Sequence, residues 1–82
     1  MKYWTIKSYD ELISKYSYNS ARLFNAYKTG DKIALMSATL EELEELIQVL
    51  LIVREEIKDF FNDNKNTTVI DNLLEYVNTL IH

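Results

Sequence analysis

The densest group of residues that could do chemistry is a set of four nearby glutamates, Glu41, Glu42, Glu44 and Glu45. Glu41 and Glu45 are one helical turn apart, as are Glu55 and Asp59, and two carboxylates at that spacing could hold a hard cation through oxygen ligands. Di-metal bundles, however, combine inward glutamates with Glu-x-x-His motifs, which this sequence lacks. We therefore predict a solvated acidic helix face and no metal site.

Other catalytic and cofactor chemistry is restricted by which residues are missing. The chain has no cysteine, one histidine (His82) and one glycine (Gly30). These counts exclude disulfides, zinc sites built on Cys and His, nucleophile–histidine pairs and glycine-rich phosphate loops. The sequence predicts a protein without catalytic residues or cofactor, and the absence of cysteine favours the cytoplasm.

Charge is unevenly distributed along the 82 residues, whose net charge is −4. Residues 1–36 carry six basic and three acidic side chains, a net charge of +3, whereas residues 37–82 carry three basic and ten acidic side chains, a net charge of −7. Either the two halves attract each other within one fold, which we prefer, or one half presents a charged face to a partner.

Five of the six tyrosines and the one tryptophan lie in the basic half. If the first helix turns Tyr16 inward, Tyr18 lies about 200° around it and points outward. Lys15 is about one turn before Tyr18 and Arg22 one turn after it. With Trp4 adjoining, these residues predict a cationic–aromatic ridge that binds an acidic surface of a protein partner. The competing hypothesis is that the ridge contacts the acidic helix of the same chain or of a second copy.

Basic residues interleaved with aromatics can also form a platform for single-stranded nucleic acid. The net negative charge and the presence of only two arginines argue against that use.

Three amphipathic helices are predicted to position these residues. The first covers about 9–28, with a capping box at residues 8–11 and Gly30 as the left-handed residue that ends it. Its apolar face comprises Tyr9, Leu12, Ile13, Tyr16, Ser20, Leu23, Phe24 and Tyr27. The small polar residues Ser17, Asn19 and Ser20 weaken the prediction that this helix is unbroken. Residues 2–6 favour a short strand or an arm that lays Trp4 over the core.

The central element has helical apolar spacing from Ile33 to Phe61. One heptad series, Met36, Leu43, Leu50 and Ile57, predicts a packed face centred on Leu50. Either Asp31 caps one helix ending near residue 62, or Thr39 and Glu42 form a second capping box and residues 31–36 form a separate turn or strand. We prefer a start or kink near Thr39, which gives a helix over about 39–62.

The last helix is predicted over 68–81, capped by Thr67 or Thr68, with Asp71 in its first turn. Its apolar stripe is Ile70, Leu73, Leu74, Val77, Leu80 and Ile81. The fold prediction is thus one all-α domain, a three-helix bundle with a long central helix. Because residues 46–53 are apolar nearly all round, homodimerisation through that helix could complete the core.

The composition is rich in Lys, Asn, Ile and Tyr, which are encoded by AT-rich codons. A small acidic helical module of this kind resembles, in style, the partner-binding proteins of phages and mobile elements, and the resemblance implies an inhibitor or regulator of a host protein. Two alternatives are a bacteriocin-type immunity protein and a dimeric nucleic-acid-binding regulator that uses the basic half.

Overall fold

The computed structural model describes the backbone of residues 6–61 and 67–81 and the side chains of residues 9–59 and 67–81. Within these ranges the chain forms helices and no strand, which confirms the all-α class. In chain order the helices are α1 (Ile6–Tyr16), α2 (Tyr18–Thr29), α3 (Lys32–Met36), α4 (Leu40–Phe61) and α5 (Thr68–Ile81). Trp4 and most of the predicted N-terminal arm lie outside the described residues.

The first predicted helix is divided in two at Ser17, whose backbone is extended. The Ser17 hydroxyl accepts a hydrogen bond from the Ser20 N–H at 3.1 Å and so caps α2. The predicted start at residue 9 is wrong, because α1 begins at Ile6 and Ser8 lies inside it. Ile6 extends the apolar spacing of Tyr9 and Ile13 by a turn, so the periodicity begins before the predicted capping box.

Gly30 ends α2 as predicted, with a φ of 81° in the left-handed region. Asp31 then caps α3, its carboxylate accepting from the Ala34 N–H at 3.2 Å. Residues 32–36 therefore form a one-turn helix instead of a turn or strand.

The capping box that starts α4 is formed by Thr39 and Glu42, which confirms the preferred start. The Thr39 N–H donates to the Glu42 carboxylate at 2.9 Å, and the Glu42 N–H donates to the Thr39 hydroxyl at 3.1 Å. Both bonds satisfy backbone groups that a helix start otherwise leaves without partners.

The core is built around α4, which packs against α1, α2 and α5. Leu50 is fully buried, as the heptad predicts, and the helical bundle measures 38 × 20 × 20 Å. No helix in the described ranges is long and apolar enough to cross a membrane. The buried apolar residues of α4 are Leu43, Leu46, Val49, Leu50, Val53 and Ile57, and they meet Tyr9, Ile13, Leu23, Phe24, Leu35, Ile70, Leu73 and Val77.

Four residues predicted on apolar core faces are instead exposed. Ile33 and Met36 are 77% and 69% exposed, because the break at residues 37–39 shifts the helical phase and α3 turns Leu35 inward. Leu40 is 56% exposed because it begins α4 on a side that the other helices leave uncovered. Tyr16 is 43% exposed, because α1 ends there and the chain changes direction at Ser17. The apolar stripe over residues 33–61 is therefore continuous in sequence but not in space.

Candidate protein-binding surface

Tyr18 is the first residue of α2, and its side chain is 82% exposed. Its position follows from the extended Ser17, which redirects the chain and places Tyr18 beside a groove between α1 and α2. The groove has a volume of about 370 Å³, and its walls include Asp10 and Glu11 from α1 and Tyr18 and Arg22 from α2. We call this region the Tyr18 surface.

Arg22 lies on the Tyr18 surface, but its guanidinium contacts the start of α4. Its Nη2 donates to the Asn19 side-chain oxygen at 2.7 Å and lies 3.7 Å from the nearer Glu42 oxygen. Asn19 in turn donates to the same Glu42 oxygen at 3.0 Å. Arg22 therefore contacts the acidic helix of its own chain, as the competing hypothesis predicts.

Lys15 does not form one helical ridge with Tyr18 and Arg22, because the break at Ser17 places it on α1. Its ammonium lies 4.0 Å from a Glu56 oxygen and 5.6 Å from the centre of the Tyr16 ring. The Tyr16 hydroxyl donates to that same Glu56 oxygen at 2.7 Å. Of the four predicted partner-binding residues, the structure brings Tyr18 and Arg22 together, separates Lys15 and does not describe Trp4.

A polar seam joins α1 and α2 to α4. Three carboxylates of α4 each accept a hydrogen bond across this seam: Tyr16 donates to Glu56, Ser17 to Glu45 and Asn19 to Glu42. The ion pairs Lys15–Glu56 and Arg22–Glu42 also cross it. These contacts fit the preferred interpretation of the charge asymmetry, in which the basic and acidic halves attract each other.

Ser17 and Asn19 were the residues that sequence reasoning missed in this seam. They stood out only as small polar interruptions of an apolar stripe, and that was the one available signal. Ser17 accepts from Ser20 to cap α2 and donates to Glu45 at 2.7 Å. A polar residue in an amphipathic helix can thus mark both a break and a contact between helices.

Three titratable groups in the polar seam or on the Tyr18 surface have shifted pKa values. Hydrogen bonds from the Thr39 backbone and then from Asn19 lower the pKa of Glu42 below its usual 4.5. The hydrogen bond to the Glu56 carboxylate raises the pKa of Tyr16, because losing the phenolic proton would leave two anions in contact. Burial raises the pKa of Asp10, whose Oδ1 is buried without a hydrogen-bond partner.

Two further grooves lie beside α4 and α5 and are lined by a mixture of apolar and polar groups. One groove of about 320 Å³ is lined by residues that include Met36, Leu40 and Ile81. A second groove of about 490 Å³ lies between α4 and α5 and is lined in part by Ile47 and again by Ile81. Sequence reasoning missed the first groove because it assigned Met36 and Leu40 to the core.

No protein-family model, curated protein or solved structure matches the chain. What the Tyr18 surface binds is therefore inferred from its own residues. Among the described residues, no group of three acidic or histidine side chains could hold a metal ion. An exposed aromatic ring beside charged groups has the composition of a protein–protein contact.

Proposed function

We propose that the chain is a small non-enzymatic protein-binding module that inhibits or regulates a host protein in the cytoplasm. The observation that carries the proposal is the 82% exposure of Tyr18 at the edge of a groove of about 370 Å³. Tyrosine supplies a large apolar ring and a hydroxyl with few rotatable bonds to immobilise, which is why it anchors many interfaces.

The partner that fits this surface presents a carboxylate opposite Arg22. The present ion pair of Arg22 with Glu42 spans 3.7 Å between two solvent-accessible groups, and such pairs contribute little to stability. A carboxylate on the partner could therefore exchange with Glu42 at little cost in stability. On the opposite wall Asp10 and Glu11 favour a basic or amide group, so the complementary surface is of mixed charge.

The same charges argue against nucleic acid as the partner. Lys15 and Arg22 already face carboxylates of α4, which reduces the positive field that phosphates require. Asp10 and Glu11 line the groove beside Tyr18 and would repel a phosphate backbone approaching the ring.

The test is co-purification of a partner from a host lysate by immobilised wild-type chain and two variants. Tyr18→Ala removes the exposed ring, and Ile33→Ala is its matched control because Ile33 is 77% exposed on α3. We expect one protein retained in stoichiometric amount by the wild type and by Ile33→Ala, and lost by Tyr18→Ala.

The melting temperature of each variant separates a binding effect from a folding effect. Tyr18→Ala should melt within a degree or two of the wild type, because so exposed a side chain contributes little to the core. Retention of the partner by Tyr18→Ala, or a wild type that retains nothing, would contradict the proposal. Arg22→Ala tests the charge separately and should weaken binding less than Tyr18→Ala.

A further inference from the structure

A small cavity lies at the end of the bundle where α2, α3 and α5 come together. Its volume is about 200 Å³, and it is lined by Tyr27, Gly30, Lys32, Leu35 and Tyr76. Leu35 is almost fully buried, whereas Tyr27 and Tyr76 are partly buried and pack against the core. The walls are therefore mostly apolar and are held by packed residues. We call this space the tyrosine cavity.

The two tyrosine rings indicate which apolar group the cavity would hold. Their centroids are 5.8 Å apart, and their planes are inclined by 38°. At that separation the rings contact each other, so a ligand packs beside the pair and meets both rings as one wall. Aromatic rings pair favourably in tilted and offset arrangements at centroid separations of about 4.5–7 Å. An aromatic ring therefore suits this wall better than an aliphatic group does.

The volume of the cavity limits the size of the ligand. An engineered apolar cavity of about 150 Å³ in a protein core is large enough to bind benzene. The tyrosine cavity, at about 200 Å³, has room for such a ring and a short substituent. This size indicates a small molecule with a single ring.

Lys32 indicates the charge of that substituent. It is an exposed residue that lines the cavity, and it forms no ion pair with any of the described residues. Asp31, its neighbour in the chain, accepts from the Ala34 N–H and caps α3. The Lys32 ammonium is therefore free to pair with an anion. Hydrogen bonds between an ammonium and a carboxylate are about twice as strong as neutral ones, which favours a carboxylate as the substituent.

We propose that the tyrosine cavity binds a small aromatic carboxylate, whose ring packs against Tyr27 and Tyr76 and whose carboxylate pairs with Lys32. Apolar walls with a few polar groups that fix the orientation of the ligand are typical of small-molecule sites. Here the rings select the aromatic group, and the ammonium selects the anion.

The tyrosine cavity is separate from the Tyr18 surface. Tyr18 begins α2, and Tyr27 lies nine residues later, about 14 Å along the helix at 1.5 Å per residue. A ligand in the cavity would not occupy the groove beside Tyr18. The inference therefore does not rest on the proposed function.

A titration of the ¹⁵N-labelled chain with phenylacetate, followed by backbone amide NMR at neutral pH, tests the proposal. We expect a dissociation constant of about 1 mM or lower, which is ordinary for so small a ligand. Phenylacetamide keeps the ring without the charge, and cyclohexylacetate keeps the charge without the aromatic ring. Each should bind about threefold or more weakly than phenylacetate. The saturable shifts should centre on residues 27, 30, 32, 35 and 76.

Two lysine variants test whether the charge acts at the cavity. Lys32→Gln should weaken phenylacetate binding about fivefold or more and leave phenylacetamide binding unchanged. Lys28→Gln is the matched control, because Lys28 lies four residues earlier and is not among the residues that line the cavity. It should change either affinity less than about twofold, since a charge outside the cavity is screened by water and salt. Both variants should stay folded, which their melting temperatures check.

Four results would each overturn the proposal. They are the absence of saturable shifts at about 10 mM phenylacetate, shifts that centre away from the tyrosine cavity, equal binding of phenylacetate and phenylacetamide, and equal losses for Lys32→Gln and Lys28→Gln. A tripeptide that ends in phenylalanine presents the same ring and carboxylate. If it bound more tightly than phenylacetate, the cavity would be a site for a chain terminus and the small-molecule assignment would be wrong.

Discussion

Leu50 and Leu51 are neighbours on α4, yet Leu50 is fully buried and Leu51 is about half exposed. One residue rotates the side chain by about 100° around the helix, which is enough to move it from the core to the surface. The inner stripe, which includes Leu43, Leu50 and Ile57, is covered by the other helices. Leu40 and Leu51 continue the apolar surface of α4 beyond what those helices cover, and we call this exposed apolar face the outer stripe.

The difference shows that two apolar stripes on one helix can differ in how far the other helices cover them. A chain of 82 residues supplies only a few helices to surround α4, and a helix that is apolar on most of its circumference needs neighbours on several sides. The side toward α1 and α2 is closed by hydrogen bonds to Glu42, Glu45 and Glu56. Across the outer stripe the described residues form no comparable row of polar contacts.

The largest expected effect separates the two stripes at adjacent positions. Leu50→Ala should lower the free energy of unfolding by about 2–5 kcal/mol, because it leaves a cavity in a packed core. Leu51→Ala should lower the free energy of unfolding by less than about 1 kcal/mol, because the Leu51 side chain is already about half exposed. Urea unfolding followed by circular dichroism measures both, and equal losses would mean that the two stripes are not distinct.

The next effect tests the start of α4, which sets the phase of both stripes. Thr39→Ala removes the hydroxyl that accepts from the Glu42 N–H and should lower the free energy of unfolding by about 0.5–2 kcal/mol. Thr79→Ala is the control, because its hydroxyl bonds only within α5, to the Tyr76 carbonyl. If both variants unfold at the same urea concentration, the capping box does not stabilise α4.

A smaller effect is the pH dependence of the stability that Glu42 contributes in the polar seam between α2 and α4. The pKa of Glu42 is lowered below its usual 4.5, so the ionised carboxylate stabilises the fold above that value and this contribution is lost as the pH falls through the lowered pKa. Glu42→Gln should therefore melt below the wild type at neutral pH, and the gap should narrow in acid. A gap that is constant with pH would contradict the assignment.

Ionisation of Asp10, on the Tyr18 surface, should have the opposite effect on the stability of the fold. Burial raises its pKa above the usual 3.8, so ionisation above the raised pKa costs stability that is regained in acid. Asp10→Asn should raise the melting temperature slightly at neutral pH and leave it unchanged below 3.8. The same thermal scans, run from neutral to acidic pH, measure this shift.

Local features of this fold were predictable from the sequence. Gly30, the Thr39 capping box and the extent of the last helix depend on residues within a few positions of one another, and all three are confirmed. The break at Ser17 was signalled only weakly, because the bond that Ser17 makes to Glu45 joins positions 28 residues apart.

Exposure was harder to predict than helix content. Met36 matches the apolar period of α4, but the turn at residues 37–39 places it outside, and a period alone does not reveal a change of direction. The geometry of the predicted ridge failed for the same reason, since Lys15 and Tyr18 belong to different helices. Tyr18 is nevertheless exposed, so the residue on which the proposed function depends is the one that sequence reasoning placed correctly.

The account of the Tyr18 surface is tested most directly by the partner that Tyr18→Ala and Ile33→Ala chains retain from a host lysate. We expect Ile33→Ala to retain the partner and Tyr18→Ala to lose it, with both variants melting within a degree or two of the wild type. A partner retained equally by the two variants would contradict the account.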